Sequence, residues 1–250
     1  MASRADVESC LSELLAPEGF KDYGPNGLQV DGRAQIRRVV SGVTASLAFI
    51  DAAVAAGADM VLVHHGLFWR GHDGRLTGWL KTRVERLLAA QVNLFAYHLP
   101  LDAHASLGNN ARLGAVLGLQ ADARFGDQAI GFIGPAPADL RSAPALAARV
   151  AERLGRAPLL LPGDGRPLRR VAWCSGGAQG HFEAAMAAGA DVFLTGEVSE
   201  PQAHLAAETG VAFLACGHHA TERYGAPAVG EHLATALGLE HRFIDIDNPA

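Results

Sequence analysis

The stretch Ala52-Ala53-Val54-Ala55-Ala56-Gly57-Ala58-Asp59-Met60-Val61-Leu62 returns 132 residues later as Ala184-Ala185-Met186-Ala187-Ala188-Gly189-Ala190-Asp191-Val192-Phe193-Leu194, identical at eight of eleven positions. Alanine-rich helices resemble one another by composition, so the alanines alone decide little. The shared Gly-Ala-Asp carries more, because it closes a helix immediately before an apolar strand. Working outward, residues 37–42 read as a strand, 47–56 as a helix and 60–63 as a buried strand ending in His64-His65, which makes a βαβ unit. A helix and a further strand follow each copy, at 92–96 in the first and 211–215 in the second. The sequence therefore predicts an α/β protein of two related halves, with mainly parallel or mixed sheets flanked by helices. The halves are expected at 1–124 and 125–250. An inserted segment at about 125–167, rich in Pro, Gly and Ala, holds one helix (143–154) between strands. Ahead of the first copy, residues 6–16 form an amphipathic helix with Val7, Leu11, Leu14 and Leu15 on one side, and Gly24-Pro25-Asn26-Gly27 forms a loop.

With 250 residues, 49% of them hydrophobic, the chain can build a substantial core without covalent staples. Three widely separated cysteines with no CxxC pair argue against a disulfide framework and point to a reducing, cytoplasmic setting. The start of the chain is acidic where a signal peptide would be basic and then apolar. Apolar runs fall far short of the roughly 20 residues of a membrane span. A net charge of -5 without a basic stripe disfavours nucleic acid as a partner.

Eleven histidines are the compositional anomaly. The clustered ones fall where predicted strands end, at His64-His65, at His98 with Asp102, and at His218-His219. Open α/β sheets gather ligands outside the carboxyl ends of their strands, so the fold predicts a site there, between the halves. Adjacent strand residues face opposite ways, so His64 and His65 share a small volume only if the strand ends there, which Gly66 permits. Two neighbouring imidazoles suit two metal ions about 3.5 to 4 Å apart better than one. A helix starting after Gly217 would present His218 and Glu222, at i,i+4, on one face. Pro100 suggests that Asp102 hangs from a turn.

An isolated histidine pair at a strand end also fits hydrogen-bonded structural histidines; carboxylates in matching contexts favour ligation. His98 is read as an outer-sphere partner in preference to a ligand, and His219 as the unused neighbour of His218, with an i,i+3 pairing to Glu222 keeping it an outer-sphere candidate. His204, within a predicted helix, is an outer-sphere candidate. Glu197 stands 132 residues after His65 and is a candidate general base; a helix N-terminal carboxylate ahead of Ser199-Glu200-Pro201 is the competing reading. Ser175-Gly176-Gly177-Ala178-Gln179-Gly180 lies between a strand and a helix but lacks the Gly-Lys-Ser/Thr ending of a nucleotide loop, so close packing is preferred to an anion cradle. Phe68 and Trp69 could wall a pocket or an interface. His72, His104, His181, His232 and His241 read as surface residues.

The strings Tyr23-Gly24-Pro25-Asn26-Gly27-Leu28-Gln29-Val30, His64-His65-Gly66, His98-Leu99-Pro100-Leu101-Asp102, Thr195-Gly196-Glu197-Val198-Ser199-Glu200 and Gly217-His218-His219-Ala220-Thr221-Glu222-Arg223 together resemble the Nif-three-like family, the GTP cyclohydrolase 1 type 2 homologues. The resemblance runs from near the N-terminus to about Leu239. It implies a dinuclear metal centre with His64, His65, Asp102, His218 and Glu222 as ligands, in a ring-shaped homohexamer. Three imidazoles and two carboxylates suit zinc, iron, manganese or nickel better than calcium. The expected function is metal-dependent hydrolysis of a small-molecule substrate by a metal-activated water, a phosphate-bearing substrate being the weaker suggestion. The alternative is a non-catalytic metal-binding or regulatory assembly protein.

Overall fold

The computed structural model describes residues 1–250. The first part of the chain runs β1 (Ala2–Ser3), α1 (Arg4–Leu15), β2 (Gly27–Val30), β3 (Gln35–Ile36), β4 (Arg38–Thr44), α2 (Leu47–Ala55), β5 (Met60–His65), α3 (Gly78–Ala90), β6 (Asn93–Ala96) and α4 (Leu99–Ala103). It continues through α5 (Asn109–Leu117), β7 (Ala123–Phe125), β8 (Gly131–Pro135), α6 (Ala143–Leu154), β9 (Leu159–Leu161), β10 (Arg170–Trp173), α7 (Phe182–Ala187), β11 (Val192–Thr195), α8 (Glu200–Thr209), β12 (Ala212–Ala215) and α9 (His218–Glu222). It closes with α10 (Gly225–Leu237) and β13 (Glu240–Phe243). No helix is long and apolar enough to cross a membrane.

The chain divides into two compact units, Met1–Gly108 with Gly225–Asp247, and Asn109–Tyr224 with Asn248–Ala250. The division thus falls at Gly108 instead of 124, and α10 and β13 return to the first unit. The physical reason is pairing and packing: β13 lies parallel to β4, with Glu240 opposite Arg38, and Val229 and Leu233 of α10 are buried with Val7, Leu11 and Met60. Conversely, α5 buries Leu113 and Leu117 against Trp173 and Leu194 of the second unit.

The first unit's sheet has the order β13-β4-β5-β6-β2, parallel except for β2. Alternation along β5 explains why helices cover both faces. Val61 and Val63 pack with Phe49, Ile50 and Leu87 on one side, whereas Met60 and Leu62 pack with Leu11, Phe95 and Val229 on the other. The second sheet has the order β7-β8-β10-β11-β12-β9, with a parallel centre (β10, β11, β12) and antiparallel edges. One face carries Trp173, Leu194 and Leu214 against α5 and α6. On the other, Phe182, Phe193 and Phe213 cluster with centroids 5.0 to 6.2 Å apart, Phe182 stacked on Phe193 and Phe213 edge-on to both; each fully buried ring of this kind contributes roughly 1.5–3 kcal/mol. Residues 125–167 are part of this sheet, since β8 pairs with β10 and β9 with β12.

The internal repeat is reproduced in hydrogen bonds. Asp59 Oδ2 accepts from the backbone N–H groups of Arg37 and Arg38 at 2.8 and 2.9 Å. Asp191 Oδ2 accepts from those of Arg169 and Arg170 at 2.7 and 3.0 Å. In both units the Asp of Gly-Ala-Asp ties the start of its strand to the start of the preceding parallel strand, and the Arg-Arg pairs are themselves 132 residues apart. Burial opposes the Asp59 charge, but the backbone hydrogen bonds from Arg38 and Arg37 together with the Arg33 guanidinium lower its pKa. Of the histidines read as surface residues, His72 and His232 are exposed. His104, His181 and His241 are half-buried; His241 Nε2 lies 2.8 Å from Ser41 Oγ, and the His104 ring accepts from Leu107 N at 3.1 Å.

Candidate functional site

In the first unit β5 persists through His65, and the chain leaves the sheet at Gly66, so the two rings meet at the strand end with centroids 4.5 Å apart. A side chain at residue 66 would run into the Gln29 amide, whose oxygen accepts from Leu67 N at 2.8 Å. His64 is fully buried. Its Nδ1 lies 3.0 Å from the Tyr97 carbonyl; a carbonyl only accepts, so Nδ1 carries the proton and Nε2 the lone pair. His65 Nδ1 lies 3.0 Å from Thr44 Oγ1.

Asp102 lies in a short helix, not on an open turn. Pro100 occupies the first turn of α4, where no N–H is needed and its ring is tolerated. The buried Asp102 places Oδ1 3.5 Å from His64 Nε2. His98, at the N-cap of α4, brings its ring within 4.9 Å of His64 and 5.8 Å of His65 between centroids. Its Nδ1 donates to Asp22 Oδ1 at 2.7 Å. Asp22, which sequence reasoning missed, also accepts from Asn26 Nδ2 and Leu99 N, both at 2.9 Å. Burial opposes its charge, but the bonds from His98 and Asn26 win and hold its pKa at about 2. The only hint in the sequence is its place at the head of the Gly24-Pro25-Asn26-Gly27 loop. Trp69 stands edge-on to His98, centroids 5.2 Å apart, and walls this cluster as the sequence suggested.

In the second unit β12 leads through Gly217 into α9, which puts His218 and Glu222 one turn apart, His218 Nε2 being 3.2 Å from Glu222 Oε2. Glu197, just beyond β11, accepts from His218 Nδ1 at 2.6 Å and from Gln179 Nε2 at 3.2 Å. Burial pulls the His218 pKa down, yet Glu222 and Glu197 on its two ring nitrogens raise it to about 9.

The glycine loop after β10 serves packing. Gly176 has φ +68°, and a Cβ there would overlap Glu222 Oε1. Its amide donates to Thr221 Oγ1 at 2.9 Å and that of Ala178 to Thr195 Oγ1 at 3.3 Å, so both are used within the protein. His219 is buried, with its N–H bonded to the Ala250 carbonyl at 3.2 Å. His204 pairs with Glu200 at 2.6 Å on an exposed face and joins neither cluster.

These residues fit metal ions. Two ligand atoms each about 2.1 Å from one ion lie roughly 3.0–3.4 Å apart. The imidazole–carboxylate pairs His64/Asp102 and His218/Glu222 stand at 3.5 and 3.2 Å, close to that spacing. In the first unit, the ligand atoms of His64, His65 and His98 all lie within 4.8 Å of one another.

Fold and clusters together define a two-unit α/β protein with histidine–carboxylate groups that could hold metal. The chain belongs to the Duf34/NIF3 (NGG1p interacting factor 3) family, whose model matches residues 2–249. A relative from Neisseria meningitidis serogroup A, named GTP cyclohydrolase 1 type 2 homolog, is 50% identical over 250 residues and all of both chains. Among solved structures, the protein ybgI, titled as of unknown function, superposes with a TM-score of 0.94 at 43% identity over all of both chains. TTHA1606 from Thermus thermophilus gives 0.89 at 33%, again over all of both chains.

Proposed function

We propose that the chain is a metal-dependent hydrolase of the GTP cyclohydrolase 1 type 2 kind, with a dinuclear centre on His64, His65 and Asp102 of the first unit and His218 and Glu222 of the second. One observation carries the reading: all three imidazoles are held through Nδ1, by the Tyr97 carbonyl, Thr44 and Glu197, which makes Nε2 the ligand atom in each. Ligating histidines are held in this way. Between them, His64, His65, Asp102, His218 and Glu222 would hold the two ions. When bound, two divalent ions polarise a substrate and lower the pKa of a shared water so that hydroxide forms near neutral pH. The protein's own work is to fix ring orientation and to limit water beside Trp69. Zinc, iron(II), manganese and nickel suit this donor set.

The subunit acts in the cytoplasm as a homohexameric ring on a small-molecule substrate; light scattering that gives a stable monomer refutes the ring. Elemental analysis tests the centre. Near two ions per chain, falling in folded His64→Ala and Glu222→Ala proteins, supports it, and no metal after reconstitution refutes it. The name of the curated relatives suggests opening of the guanine ring of GTP, for which formate release by metal-loaded protein is the assay. The second reading, a non-catalytic metal-binding or regulatory assembly, is favoured by one specific observation: Glu197, the one candidate base, already accepts the His218 Nδ1 proton.

A further inference from the structure

We propose that His98 is a sixth ligand, which with His64 and His65 forms a three-imidazole site for one late transition-metal ion built wholly from the first unit; the inference rests on the metal centre proposed above and extends it.

The ring is placed as the other ligands are. Its Nδ1 proton goes to Asp22, so Nε2 carries the lone pair. This ring also has the firmest anchor of the first unit's three imidazoles. The Asp22 side chain is 3% exposed and is itself held by Asn26 Nδ2 and by the N–H groups of Leu99 and Tyr23. A second bond, from His98 N to Asn26 Oδ1 at 2.7 Å, fixes the backbone that carries the ring. Burying a carboxylate costs several kcal/mol unless its hydrogen bonds recover the cost, which is an expensive arrangement for steadying a ring with no ligating duty.

The second unit repeats the device. In both units the last parallel strand before an antiparallel edge strand (β6, β12) leads within three residues to a histidine whose Nδ1 is held by a carboxylate, His98 by Asp22 and His218 by Glu197. Tyr23 and Trp69 meet the His98 ring edge-on at 5.9 and 5.2 Å and restrict its tilt. A site with three imidazoles favours zinc, cobalt(II) or nickel over magnesium or calcium.

The test uses the whole chain loaded with zinc, and separately with cobalt(II), as wild type, His98→Ala, His98→Gln and Asp22→Asn, each checked for fold by circular dichroism. Chelator competition should show one of two ions bound at least about tenfold more weakly in the His98 variants. The cobalt ligand-field spectrum should change with loss of an imidazole, and Asp22→Asn should weaken the same ion while leaving that spectrum close to wild type. Two ions bound with wild-type affinity and an unchanged spectrum in a folded His98 variant would overturn this inference alone. A wild-type protein that binds neither metal overturns the parent centre and this ligand together. If neither His98 variant folds, an Asp22→Asn protein with unaltered affinity for both ions overturns the inference, and a selective loss of one ion supports it.

Discussion

Replacing Glu197 by glutamine separates a carboxylate that orients a ligand from one that takes a proton from water. Its Oε1 lies 2.6 Å from His218 Nδ1; glutamine keeps the shape and removes the charge, roughly halving the strength of that bond. Loss of such a carboxylate behind a ligating histidine costs about 10- to 100-fold in metal affinity, or ~1.4–2.7 kcal/mol. A second effect runs the other way. Burial opposes charge on His218, but Glu222 and Glu197 raise its pKa to about 9, so below that pH the metal must displace a proton, at roughly tenfold in affinity per pH unit. Glu197→Gln lowers that pKa and returns part of the handicap at pH 7. Chelator competition at pH 7 and at pH 9.5 should therefore show a small loss at the lower pH that grows to the full 10- to 100-fold at the higher. A loss of equal size at both values would refute the reasoning. Unchanged affinity at both with abolished turnover would return Glu197 to the role of general base.

The same raised pKa predicts how the metal-free protein responds to pH. Because the folded value lies above the ordinary one of about 6.5, the stabilisation is complete below about pH 6.5 and is lost as pH rises through about 9; thermal melts of apo protein should fall over that window, and loaded protein should not follow. Asp59→Ala leaves the Arg37 and Arg38 N–H groups without their acceptor and should cost about 2–4 kcal/mol in urea unfolding, with Asp191→Ala behaving alike. Gly176→Ala sets a Cβ against Glu222 at φ +68° and should deplete bound metal, read by elemental analysis, well before it unfolds the second unit. His204→Ala removes only an exposed i,i+4 pair; metal content should hold and stability change by no more than about 0.5 kcal/mol.

The parallel strands, the duplicated Gly-Ala-Asp hinge and the histidine-bearing strand ends were legible because each is a local pattern: an apolar run, a helix stop, then a polar residue where the strand ends. Asp22 was not legible. Its role comes from a loop that returns beneath the end of β6, 76 residues away in sequence from His98, and nothing local distinguishes it from any other loop aspartate. The unit boundary was misplaced for a related reason. Glu240-His241-Arg242-Phe243 has too few apolar residues to read as a strand, and its partner β4 lies about 200 residues earlier. Pro100 misled in a different way, since the same residue that ends a helix in its interior is welcome in the first turn. Glu197 was found by its repeat position, but which proton it takes depends on Gly217 and α9 setting His218 beside it.

The return of α10 and β13 to the first unit fixes an order of assembly on the ribosome. Residues Asn109–Tyr224 form one uninterrupted stretch and can collapse as soon as they emerge, because every strand of their sheet is already made. The earlier-made unit must wait, with β4 lacking its neighbour β13 and with Val7 and Leu11 lacking the cover of Val229 and Leu233. Until residue 243 leaves the tunnel, that waiting sheet edge is the part of the nascent chain most open to misassociation and to chaperone capture.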